Sequence, residues 1–131
     1  MPKLIRSHLC KQVAIDDAGH ILPVNEFQSI QLRSLPSVIV KGFHAISEWS
    51  GVEGERFTFQ VVMMNPSGHV ISASQQGYVT FERNRQGVLG TEVFFPLFEG
   101  VAIRQLGQYR VEHLINDVPG HTLSFEVILS N

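Results

Sequence analysis

Gly107-Gln108-Tyr109-Arg110-Val111-Glu112-His113 is the stretch on which the fold turns. A glycine, a tyrosine two residues later, and then apolar and polar residues in turn is how a late strand of an immunoglobulin-like β-sandwich begins. The glycine lets the main chain turn where a side chain would resist. The tyrosine buries its ring and returns its hydroxyl to a main-chain group at the corner. Tyr109, Val111, His113 and Ile115 then share one face, the period of a half-buried strand. Gly107 and Tyr109 are therefore read as structural. His113 is read as a core histidine that stays neutral and finds a hydrogen-bond partner, with pH-sensitive packing as its functional alternative.

The same period extends in both directions. Downstream, Asn116-Asp117-Val118-Pro119-Gly120 leads into a strand with Leu123, Phe125, Val127 and Leu129 on one face. Upstream, the first segment runs from Lys3 to Ile15 and turns at Asp16-Asp17-Ala18-Gly19. The second covers Ile21 to Leu32, and its apolar phase changes near Asn25-Glu26, which predicts a bulge. Val38 to Ile46 follows, then a loop from Ser47 to Glu55 that holds Trp49. Phe57, Phe59, Val61 and Met63 form the clearest stripe and end at Asn65-Pro66-Ser67-Gly68. Val70 to Glu82 is polar around Gly77, as one edge strand or two pieces. Leu89, Val93, Phe95 and Leu97 set the core phase of the sixth segment. Short strands and no helical period predict one all-β domain over residues 1–131, an immunoglobulin-like antiparallel β-sandwich of seven or eight strands.

At 131 residues, 44% hydrophobic and 17% charged, the chain is long and apolar enough for a single core and is not a disordered polymer. Its 10 basic residues are scattered against 12 acidic ones, which argues against a nucleic-acid partner. No apolar run reaches the length of a membrane span or a signal peptide, so a soluble cytoplasmic protein without a membrane partner is expected. Cys10 is the only cysteine, which leaves no internal disulfide and no multi-cysteine zinc site.

With Leu9-Cys10 near the start, Gly19 in the first turn, Phe27 and Ile30 three apart, Pro36 opening the third strand, the Pro66-Ser67-Gly68 turn and Gly107-Gln108-Tyr109, the chain resembles a family of uncharacterised bacterial β-sandwich proteins, a domain of unknown function. The resemblance spans nearly the whole chain. It implies a fold and brings no catalytic residue. Asn25 stands where the family tends to have glycine, and His113 where an apolar residue is expected.

Three histidines, His20, His69 and His121, follow glycines in turns, but strand alternation sends His69 to the end opposite the other two. Exposed turn histidines are the expectation, with no metal and no cofactor. His8 and Cys10 face the same way on the first strand and offer a base beside a thiol nucleophile. Without an oxyanion element or an orienting carboxylate nearby, Cys10 is read as an inert structural thiol. Asp16, Asp17, Glu48, Glu53, Glu55, Asn116 and Asp117 are expected at one end, where Arg83 and Arg85 can neutralise them. Clustered loop carboxylates can hold calcium, but the calcium-loop spacing is missing.

Trp49 is either a stacking platform on an exposed loop or a plug in the open end of the sandwich. Phe94 and Phe98 fall opposite the phase of Phe95 and Leu97 and are expected to point outward as a contact surface. The leading expectation is a non-enzymatic interaction module of unknown partner that self-associates as a homodimer through Phe94 and Phe98. The alternative is a carbohydrate- or small-ligand-binding domain built on Trp49 and the acidic end. A hydrolase on Cys10 and His8 is the third reading.

Overall fold

Alternating residues pair into thirteen strands and no helix in the computed structural model, which describes residues 2–130. They are β1 (Lys3–Ile15), β2 (Ile21–Glu26), β3 (Ser29–Leu32), β4 (Ser37–Ile39), β5 (Phe43–Ser50), β6 (Arg56–Met64), β7 (Val70–Ala73), β8 (Gly77–Thr80), β9 (Glu92–Phe94), β10 (Leu97–Phe98), β11 (Val101–Ile103), β12 (Gly107–Ile115) and β13 (Val118–Leu129). One sheet has the order β10-β5-β1-β2, with β9 also on β5; the other has the order β3-β13-β12-β6-β7, with β8 also on β6. Leu9, Phe43, Ala45 and Trp49 of the first sheet pack against Phe59, Val61, Met63, Val111 and Phe125 of the second in one core. The small β4–β11 pair adds Val101 and Ile103 to that core.

The fold is all-β, as the alternation requires, but the count of seven or eight strands is too low. Expected single strands divide where the main chain changes partner. The second segment splits at Phe27-Gln28, because β2 pairs antiparallel with β1 whereas β3 pairs parallel with β13 in the other sheet. That crossover causes the phase change near Asn25. The register from Gln12 opposite Val24 to Cys10 opposite Glu26 is unshifted, and Asn25 takes a left-handed φ of 57° instead of adding a bulged residue. The third segment splits at Gly42, whose φ of 74° and close approach to the Phe98 carbonyl leave no room for a Cβ. The fifth breaks ahead of Gly77.

The β12–β13 hairpin turns through Asn116 and Asp117, both at positive φ, the loop geometry whose twist matches the flanking strands. β1 is sharply curved. Ile21 lies opposite Ile15 across the first hairpin, yet Arg6 donates to the Ile21 carbonyl at 2.8 Å. A straight strand would hold residues 6 and 15 roughly 30 Å apart. The hairpin therefore folds back over the outer face of its own sheet, which accounts for Cys10 and Ile46 being fully buried there. No helix among the described residues is long and apolar enough to cross a membrane.

Candidate functional site

The corner expected from Gly107 and Tyr109 forms. Gly107 has φ of 123°, and a Cβ on it would lie 3.3 Å from Pro66. Tyr109 is buried, stacks on Phe125, and donates its hydroxyl to the Gln105 carbonyl at 2.8 Å. Burial raises its hydroxyl pKa, and the bond to Gln105 opposes that rise.

Trp49 is not a surface platform. It is 2% exposed, lies in β5 instead of a loop, donates Nε1–H to Ser47 Oγ at 2.9 Å, and meets Phe59 edge-on. Its indole N–H is satisfied by its own strand, so the ring packs inside as a plug, and carbohydrate stacking on it is ruled out.

The phase of Phe94 and Phe98 is also the reverse of the expectation. Phe98 is 2% exposed against Phe43, and Phe94 stacks on Phe59 with ring centres 3.7 Å apart. Phe95 and Leu97 point outward at 41% and 45% exposure. The register with β5 runs unbroken across the gap at Phe95-Pro96, with Ser47 opposite Phe94 and His44 opposite Leu97, so no bulge returns either ring. Both faces of this segment are apolar, and alternation alone cannot choose between them.

These reversals define the first flank. β9 and β10 are the free edge of one sheet, and β7 and β8 are that of the other. Between them runs a groove of about 540 Å³, floored by the Phe59–Phe94 stack, with Ala73, Ser74 and Gln75 on one bank and Phe95 and Leu97 on the other. No charged residue lines it. His44 Nδ1–H donates to the Phe95 carbonyl at 2.9 Å, and the Ala45 N–H donates to the Pro96 carbonyl at 3.2 Å, which fix the outward turn of Phe95.

The opposite flank joins β1 to β13. Ser7 Oγ and His121 Nε2 share a hydrogen bond of 2.9 Å. The crossover is tied to both strands: Phe27 N–H donates to the Leu9 carbonyl at 3.1 Å and Glu126 N–H to the Gln28 carbonyl at 2.9 Å. Beneath it lies a cleft of about 760 Å³ lined by Ser7, His8, Glu26, Gln108, Ser124 and Glu126 over an apolar floor. His8 Nδ1–H donates to Glu26 Oε1 at 2.5 Å, a pairing that nothing in the sequence marks.

His113 lies behind this seam, fully buried, with ring contacts to His121 and Phe59. It is a core histidine, but not a fully satisfied one: neither ring nitrogen makes a well-formed hydrogen bond, and the polar groups beside it are the main chains of His121 and Val111. Burial, then the charge of His121, pushes its pKa down to about 4, while the main chains of His121 and Val111 pull the other way. Burial also lowers the pKa of His121.

Cys10 is fully buried, and burial raises its thiol pKa, as fits an inert thiol. His8 bonds Glu26, which supplies the orienting carboxylate that the sequence did not reveal, but the thiol beside it is closed to solvent. The acidic set does not converge. Asp16 accepts from His20, Glu48 from Arg6, Glu53 from Arg83 and Asp117 from Gln76. The Arg6 hydrogen bond holds the Glu48 carboxyl below its ordinary pKa. The turn histidines stay apart as well: His20 is on Asp16, His121 on Ser7, and the main chain of His69 on Asn65. Among the described residues, no group of three or more metal-ligating side chains comes together.

The family model described as Family of unknown function (DUF6941) matches residues 6–128. The chain belongs to that family. The match takes in both flanks and the tyrosine corner. No curated protein matches the chain.

Proposed function

We propose that the protein is an immunoglobulin-like β-sandwich acting as a non-enzymatic interaction module, and that it self-associates through the groove beside β9 and β10. The fold reading is supported by strand order. β1, β5 and β9–β10 follow the A, B and E strands of an immunoglobulin sandwich; β6, β12 and β13 follow C, F and G, with β3 parallel beside the last. The hydroxyl of Tyr109 closes the corner ahead of the F-like strand. The buried, unpaired Cys10 fits a reducing, cytoplasmic setting.

One observation carries the functional reading: Phe95 and Leu97 stand exposed on the bank of an uncharged groove floored by stacked phenylalanines. Protrusion and hollow belong to the same patch, so a twofold axis through it seats each copy's Phe95 in the other copy's groove. Covering one such ring removes apolar area worth about 2 kcal/mol, and there is no like charge to oppose the approach. Sedimentation at micromolar concentration is expected to show a dimer, dissociated by Phe95→Glu with an unchanged β spectrum. A strict monomer of 14.7 kDa at every concentration refutes the self-association.

A further inference from the structure

We propose that the β1–β13 flank is a docking site for an extended, lysine- or arginine-bearing segment of a partner protein, taken up by strand addition. β1 pairs with β5 over Lys3–Cys10 and with β2 only from Cys10 onward. β13 pairs with β12 from Val118 to Val127 and with β3 only from Glu126 onward. Among the described residues, Lys3–His8 and Val118–Phe125 therefore each keep one edge that no strand occupies; the crossover takes the Leu9 carbonyl, and the Ser7–His121 bond bridges the two edges at one point. Such an edge is a row of main-chain donors and acceptors, the template for an incoming strand.

The other flank is protected against this mode. Its edges are short, and Pro96 interrupts one of them. In the free edges of β1 and β13 the one proline, Pro119, stands at the far end of the β13 stretch, and none falls within Lys3–Leu9 or Gly120–Phe125. The 760 Å³ cleft lies against the inner ends of these edges, at Ser7–Leu9 and Leu123–Phe125, and places Leu9 and Phe125 beneath it as a floor for alternate side chains of an extended segment.

Charge selects the occupant. Glu26 and Glu126 line the cleft, and no lysine or arginine does. The Glu26 side chain is 56% exposed, and His8 anchors only one of its oxygens. A second copy offering the same flank would set carboxylate against carboxylate, so a basic segment of another protein fits where self-pairing does not. This inference is independent of self-association, which uses the opposite side.

The probe is an end-blocked peptide alternating lysine and valine, with a glutamate–valine peptide as the charge-reversed control. Each is titrated into the full-length, 15N-labelled chain. The lysine peptide is expected to shift the amides of Ser7–Leu9 and Leu123–Glu126, and the control is expected to leave them in place. Glu26→Gln and Glu126→Gln should each weaken binding by about fivefold, the upper worth of an exposed ion pair. Both carboxylates are on the surface, and an unchanged amide spectrum of the free variants confirms that they fold. No binding by the lysine peptide, equal binding by the two peptides, shifts confined to β9–β10, or an unchanged affinity in the double variant each overturns the proposal.

Discussion

The two flanks of the sandwich close by different means. Between β1 and β13 the joint is polar: Ser7 bonds His121, and the crossover bonds both strands. Between β7–β8 and β9–β10 the joint is a stack of two phenylalanines under interrupted edges. A polar joint gathers titratable groups and leaves His113 poorly hydrogen-bonded behind it, so this side answers to pH. An apolar joint uses rings from both sheets and leaves Phe95 and Leu97 over, so this side answers to association.

The largest effect is expected at a residue that supports the polar flank from below. Tyr109 stacks on Phe125, whose ring also meets Phe27 of the crossover. Tyr109→Ala should cost about 4 kcal/mol of unfolding free energy, as truncated core aromatics do. A chemical denaturation midpoint equal to that of the native chain would remove the corner from the account of the fold.

Acid comes next. Folding depresses the pKa of His113 from 6.5 to about 4, so the neutral ring is the folded form. Its contribution is complete above pH 6.5 and is lost as the pH falls from there through about 4, where both the folded and the unfolded chain are protonated. The loss is about 3 kcal/mol at its fullest. His121 is shifted the same way and adds to the fall. Asp16 and Glu48, whose pKa values are lowered, lose their contributions in a more acidic window, below the ordinary carboxylate range. His113→Leu should flatten the decline between pH 6.5 and 4.5 and raise stability at neutral pH. An unaltered pH profile in that variant would place the acid response elsewhere.

On the apolar flank, Phe94→Ala should cost about 2 kcal/mol, less than a fully buried ring because the groove reaches it. An outward-facing Phe94 would cost next to nothing. Thermal melts of this variant beside Phe95→Glu, taken at dilutions where the native chain is monomeric, therefore test the orientation of the strand, with only the first expected to fall.

What the sequence discloses follows from how side-chain period maps onto structure. Phe57, Phe59, Val61 and Met63 alternate against polar neighbours, and β6 lies where they predict it. Gly107 and Tyr109 set a local geometry that requires no knowledge of distant partners, and the corner is as expected. Phe94 to Phe98 is apolar on both faces, so its orientation was decided by Phe43 and Phe59 from other strands. The division of Ile21–Leu32 between sheets depends on β13, almost a hundred residues later. Trp49 sits next to glycines that suggest a loop, yet β1 and β9 pair with its segment and draw it into a strand. Candidate site pairs such as Ser7–His121 and His8–Glu26 are products of that long-range pairing and carry no local signature.

The smallest effect tests whether the flanks are separate at all. Ser7→Ala removes the one side-chain bond that links β1 to His121, at a cost of about 1 kcal/mol, the worth of an ordinary hydrogen bond. The size alone decides little, since many surface substitutions reach half of it. Coupling decides more. Residues that share a bond are non-additive, whereas distant sites without shared partners add to within about 0.5 kcal/mol. Ser7→Ala combined with His121→Ala should cost less than the two singly, because the second change finds the bond already gone. Ser7→Ala combined with Phe94→Ala should cost the sum, because the two residues share no partner and are joined only through the rings of His121, His113 and Phe59. Denaturation of the three single and two double variants, beside the native chain, yields both cycles. Strong coupling in the second cycle would mean that strain passes through the core from one flank to the other. A ligand seated on β1 and β13 would then also alter association through β9 and β10.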